Sequence, residues 1–192
     1  AISRSFSSSD NARMPLFRSL TVYNSTFKSN SGLHGGAIYS SRRATIYKST
    51  FNDNFAEYGG ALYSMRDSTI FNCTFTNNTA TSDNGGALYF EKTGNITLSS
   101  FAHNSAEYGG AIFAANDLYL MTCEFENNTA TFDGGAIEVY DGMAMAIISS
   151  FTNNKAQKGG AIIAEDATII YCTFTNNAAN NTGGAMNCVF SY

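Results

Sequence analysis

Short bursts of alternating apolar and polar residues recur along this chain at a fixed interval. Seven copies of Gly-Gly-Ala begin at Gly35, Gly59, Gly85, Gly109, Gly134, Gly159 and Gly183, spaced by 24, 26, 24, 25, 25 and 24 residues. A second motif, Phe-x-x-Asn, runs in phase with it: Phe27 with Asn30, Phe51 with Asn54, Phe75 with Asn78, Phe101 with Asn104, Phe125 with Asn128, Phe151 with Asn154 and Phe174 with Asn177. Five residues before each Phe stands an apolar column, Val22, Ile46, Ile70, Ile96, Leu120, Ala146 and Ile169. Two before it the column is small: Ser25, Ser49, Cys73, Ser99, Cys123, Ser149 and Cys172. The residues between are mostly polar, the period of a strand with one face buried. After each Gly-Gly-Ala an apolar residue returns, from Ile38 to Met186, and starts a second strand.

A regular interval of this length means a solenoid, propeller or array. Propeller blades need about 40 to 50 residues, and leucine-rich repeats need Leu at fixed offsets, which is scarce here. The double Gly in every copy disfavours helix. The pattern predicts an all-β fold: a single parallel β-helix of about seven coils with three short strands per coil. At a coil spacing of about 4.8 Å this makes a rod of roughly 30 to 35 Å. Equal residues then form ladders along the axis, with Phe stacked on Phe and Asn amides bonded from coil to coil while they satisfy corner backbone groups. Residues 1–18, with Pro15 and a Ser-rich start, do not match the repeat. The expected organisation is an irregular segment or cap over 1–18 and repeats over 19–192. The start at Ala1, without a leader pattern, suggests a processed or excised piece of a precursor.

Composition fits this reading better than it fits an ordinary core. Leu, Ile, Val and Phe total 39 of 192 residues, while Asn, Ser and Thr number 21, 21 and 19. Charged residues are only 14% and the net charge is −4, which disfavours disorder driven by self-repulsion. The scarcity of basic residues argues against nucleic acid, and no apolar run approaches the roughly 18 residues of a membrane span.

Candidate chemistry is sparse. Cys73 and Cys123 sit two coils apart, too far to bridge. Cys172 and Cys188 share one coil with inward parity, so a disulfide between them is open alongside free thiols. His34 and His103 occupy different columns and read as surface histidines, and no spacing suits zinc. Glu57, Asp83 and Glu107 fall in successive coils just before the Gly pairs, an acidic ladder able to hold Ca²⁺ only if the side chains converge. Tyr39, Tyr63, Tyr89 and Phe113 form an aromatic column that strand parity points outward, a candidate stripe for glycan or for another subunit. N-glycosylation acceptor motifs occur at Asn24, Asn72, Asn77, Asn95, Asn127 and Asn180, none of them a ladder Asn.

The two motifs, as in NCTFTNNTATSDNGGALYF from Asn72 to Phe90, resemble the repeats of chlamydial polymorphic outer-membrane proteins. They are also similar to repeats of archaeal adhesin-like surface proteins and of large secreted proteins of protists. The resemblance covers about Leu20 to Phe190. It implies a right-handed parallel β-helix displayed outside the cell, with no catalytic residue in the repeat and no cofactor. Unlike the bacterial version, these 192 residues include no segment with the pattern of an autotransporter barrel. The expectation is a non-enzymatic extracellular structural or adhesive rod, a segment of a longer surface protein or a filament subunit, whose partners are itself, head to tail or laterally, or surface glycan. The rival reading is a polysaccharide-binding module or a β-helix polysaccharide lyase.

Overall fold

A computed structural model describes residues 19–188; the segment expected over 1–18 and residues 189–192 lie outside the described residues. Within them the chain is an all-β parallel solenoid of about seven turns. Three parallel sheets run along it, of twelve, seven and six strands. The seven-stranded sheet carries the Phe motif, from Thr26–Lys28 to Thr173–Thr175. The twelve-stranded sheet takes two short segments from most coils, such as Leu62–Ser64 and Ser68–Phe71, which fuse into single strands at Ile137–Ile147 and Ile162–Ile170. Most coils therefore have one more short segment than the three that the repeat length suggests, because a bend divides one face, while the coils with fused strands keep three.

The register follows the sequence columns. Val22 pairs with Ile46, Ile46 with Ile70, Ile96 with Leu120, and Ala146 with Ile169. Phe rings stack from Phe27 to Phe174 with centroids 4.8–4.9 Å apart and planes within 8° of parallel. That separation is the strand spacing itself, so the backbone ladder sets the ring stack. Phe51, Phe75 and Phe101 are fully buried, while Phe27 and Phe174 in the outermost coils are half-buried.

Beside the rings, each ladder Asn but the last, Asn177, donates its amide to the next Asn along the axis at 2.9–3.1 Å. The second amide hydrogen goes back to a Phe carbonyl, as from Asn78 to Phe51 at 3.0 Å. Each receiving Oδ1 also accepts the backbone N–H of the preceding Asn, as Asn104 does from Asn78 at 2.9 Å. A buried polar column is thereby satisfied without water. The small column behaves alike: Cys73 N–H donates to Ser99 Oγ at 3.1 Å, and Ser99 Oγ–H donates to the Thr97 carbonyl at 2.9 Å.

Three left-handed residues turn each complete coil. In one coil they are Asn72, Asn77 and Gly85, with φ of 53°, 53° and 71°. The glycine after such a Gly serves another purpose: a Cβ on Gly86 would lie 2.0 Å from the Gly110 carbonyl oxygen. The pair thus combines a turn with the closest approach between coils.

Candidate functional site

The Gly corner is flanked by two columns that run along the rod. Before the Gly pairs stand His34, Tyr58, Asn84, Tyr108, Asp133 and Lys158, in register through the His34–Tyr58 and Asn84–Tyr108 bridges and the Tyr108–Asp133–Lys158 pairing. After them stand Tyr39, Tyr63, Tyr89, Phe113, Glu138 and Ile163, each paired to the next. The corner brings the two columns face to face.

In the first coils the space between them is filled by rings. His34 stacks on Tyr58 at 5.2 Å and meets Tyr63 edge-on at 5.0 Å. Tyr58 meets Tyr89 edge-on at 6.0 Å, and Tyr63 stacks on Tyr89 at 4.6 Å. The Tyr63 hydroxyl donates to Glu91. This corrects the open stripe expected from strand parity. Tyr39 is 53% exposed, but Tyr63 and Phe113 are only 9% and 6% exposed: His34 and Tyr58 of the facing column cover Tyr63, while Tyr89 and Tyr140 flank Phe113. His34 is likewise a half-buried partner in the ring cluster rather than a free surface side chain; His103 is exposed at a left-handed corner.

The filling stops at Asn84. Its side chain is shorter than the Tyr of the coils on either side, Tyr108 leans on Phe132 at 5.2 Å, and Phe113 approaches Tyr140 at 6.4 Å. A groove of about 390 Å³ opens there, lined by Asp83, Asn84, Tyr89, Tyr108, Phe113 and Glu138, with Tyr140 at its rim. Beyond Glu138 a second hollow of about 500 Å³ continues past Asp133, Lys158 and Ile163. Both lie where the repeat lengthens: Gly85 follows Asn78 by seven positions, against five from Asn54 to Gly59, and the turn after Val139 holds one residue more than the turn after Ala114.

Two buried side-chain oxygens in the described residues have no hydrogen-bond partner, Asn84 Oδ1 and Glu138 Oε2. Both belong to residues of this groove. Burial pushes the Glu138 carboxyl up to about 8, with Asp133 and Asp83 adding to the rise and Lys158 opposing it. Tyr89 is pushed up to about 12, by burial first and then by Glu91 and Asp83. Tyr108 is raised by burial and by Glu138, Asp133, Glu107 and Asp83. The field in the groove is negative, and its nearest cation, Lys158, is engaged with Asp133 at 3.4 Å.

The remaining sequence candidates fall elsewhere. Glu57, Asp83 and Glu107 do not converge, and among the described residues no cluster of three His, Cys, Asp or Glu side chains forms a metal site; Asp83 instead raises the pKa of the neighbouring Tyr58 hydroxyl. Cys172 and Cys188 are free thiols, which corrects the disulfide alternative. Cys172 donates to the Ala146 carbonyl at 3.3 Å, and Cys188 is an exposed residue on the strand paired with Ala164. Of the acceptor motifs, Asn24, Asn72, Asn77 and Asn127 sit at left-handed corners, and Asn95 and Asn180 lie on strands. All six are exposed except Asn127, which is half-buried with its amide on Glu126 at 3.1 Å. Asn84, Tyr58 and Tyr108 were not singled out by the sequence reading, although they occupy the position before the Gly pair in three consecutive coils and the 26-residue spacing falls among them.

A family model described as right handed beta helix region matches residues 18–191. No curated protein and no solved structure matches the chain.

Proposed function

The chain belongs to the right-handed β-helix family, and on that premise we propose that it is a non-enzymatic structural or adhesive rod outside the cell, a segment of a longer surface protein or a filament subunit. The observation that carries this reading is the unbroken run of Phe and Asn ladders through seven coils. Such ladders fix one coil on the next by stacking and buried hydrogen bonds, the property a spacer needs. The likeness to polymorphic outer-membrane and adhesin-like repeats points the same way, as do the outward acceptor motifs. Among the described residues no helix is long and apolar enough to cross a membrane, which says nothing of a β-barrel.

The test is negative-stain electron microscopy over a range of protein concentrations. Head-to-tail contact is heterologous and does not close, so a filament subunit gives threads that lengthen with concentration. Discrete rods at every concentration overturn the filament and leave the segment of a longer protein.

The aromatic corner favours a second reading, binding of polysaccharide. The acidic groove repels polyuronate, so this reading takes a neutral or cationic glycan, and it disfavours a lyase acting on uronic acids. A glycan array decides, with Tyr89→Ala as the informative variant; Tyr63 is too buried for its loss to report on contact alone.

A further inference from the structure

The groove at Asn84 and Glu138 has the makings of a ligand site that the rod does not need. Glu138 stands in a column of rings, is 9% exposed, and has one carboxylate oxygen buried without a partner. Asn84 Oδ1, on the facing column, is the other unpartnered oxygen, and both residues line one hollow. Burying two such acceptors in a structure that satisfies its interior amides is costly unless something supplies donors. The missing groups are therefore hydrogen-bond donors.

Charge selects among donors. Asp83, Asp133, Glu107 and Glu138 all act on Tyr108, and the cation that acts on Glu138, Lys158, is paired with Asp133 at 3.4 Å. Tyr89, Tyr108 and Phe113 wall the same space. Acidic groups among aromatic rings attract organic cations, through the rings' negative faces and through the field. A quaternary ammonium satisfies the rings but has no N–H for the two oxygens. A neutral sugar has donors but gains nothing from the field.

We propose that this groove binds an organic amine through a primary ammonium accepted by Glu138 Oε2 and a second N–H or O–H donor accepted by Asn84 Oδ1, two coils away, between the Tyr89, Tyr108 and Phe113 rings. An alkyl diamine and a free amino sugar share this chemistry, and the hollow, about 390 Å³, suits either. The site does not depend on whether the rods assemble.

The groups facing Glu138 are Asp83, Asp133, Lys158 and Tyr108, with Asp141 and Glu165 lining its other side. Because the carboxyl is raised, an arriving ammonium favours its ionised form. Binding then releases a proton and, for an alkyl ammonium that stays charged, tightens as pH rises from 6 toward 9; an amino sugar, whose ammonium is lost over the same range, binds best near neutral pH.

The experiment is isothermal titration of the whole chain with cadaverine, glucosamine, N-acetylglucosamine and tetramethylammonium, each in two buffers of different ionisation enthalpy. Saturable binding of cadaverine or glucosamine is expected, and which of them is tighter distinguishes an alkyl amine from an amino sugar. Proton release near pH 7 is expected, with binding weaker by about tenfold or more in Glu138→Gln and in Asn84→Ala. Glu138→Gln keeps the shape of the side chain, and circular dichroism confirms that the variant tested is folded. The proposal is overturned if neither amine binds, if N-acetylglucosamine or tetramethylammonium binds as tightly as the amines, or if folded Glu138→Gln binds like the parent.

Discussion

Asn104 Nδ2 lies 3.0 Å from Asn128 Oδ1 and 3.1 Å from the Phe75 carbonyl oxygen, so one side-chain amide ties three successive coils together. Its Oδ1 accepts from Asn78 twice, through the backbone N–H at 2.9 Å and the amide at 3.1 Å. Asn104 is 1% exposed, so water has no ready access to partners left behind. Asn104→Ala is expected to destabilise the rod by about 3–5 kcal/mol, since several buried groups lose partners at once. Asn104→Asp keeps the acceptor, loses both donated bonds and buries a charge, so it falls close to the Ala variant at neutral pH and recovers in part in acid. Urea denaturation measures both, and a loss under about 1 kcal/mol for Ala means that the ladder adds nothing beyond the backbone pairing.

The ladders were legible because a solenoid repeats its environment whenever it repeats its residues. Phe, Asn, the apolar column and the small column each keep one place per coil, and spacing alone gives their register. Exposure of the Tyr63 column was not legible in the same way. Strand parity reports which side of its own sheet Tyr63 leaves, but not what crosses the Gly corner to cover it, and Tyr58 and His34 do so from the other side of that corner. The groove escaped for a related reason. It is made by a shorter side chain, Asn84, and by Glu138 in an aromatic column, and departures from a repeat have no column of their own.

Corner residues offer a way to strengthen the rod. Thr122 holds φ of 55° at the corner where another coil has Asn72 at 53°. A β-branched residue is strained in the left-handed region, whereas Asn tolerates it. Thr122 is exposed, so the change disturbs no packing. Thr122→Asn is expected to raise stability by about 1 kcal/mol. An unchanged or lower melting temperature would count against strain at this corner.

The thiols give a direct check on the disulfide alternative. With all four cysteines free, an Ellman titration in denaturant without reductant should count four thiols; two would restore the bridge between Cys172 and Cys188. In the native state exposed Cys188 reacts first. Cys73 and Cys123 are 3% and 1% exposed, and burial pushes Cys123 up to about 11. Scarcely any thiolate then forms at neutral pH, and these two react only as fast as the coils open.

Glu138 makes stability fall with rising pH over a defined window. Its carboxyl titrates at about 8 in the folded chain against an ordinary value of 4.5. Between those values the folded protein holds a proton that the unfolded chain has released, so unfolding releases a proton and alkali favours it. The favourable state, with Glu138 protonated, is fully present below about 4.5 and is lost as pH rises through about 8. Glu138→Gln removes the titration and keeps the shape. Near pH 4 the variant and the parent should therefore melt alike, while near pH 9 the variant should be more stable by about 2–4 kcal/mol. Thermal melts of both proteins across this range measure the difference directly, which cancels the ordinary carboxylates they share. A difference independent of pH would mean that Glu138 is already ionised at neutral pH and paired, with Lys158 the nearest candidate. A difference that grows with pH, and shrinks when cadaverine is added to the parent at pH 9, would tie the cost of the buried carboxylate to the ligand that relieves it.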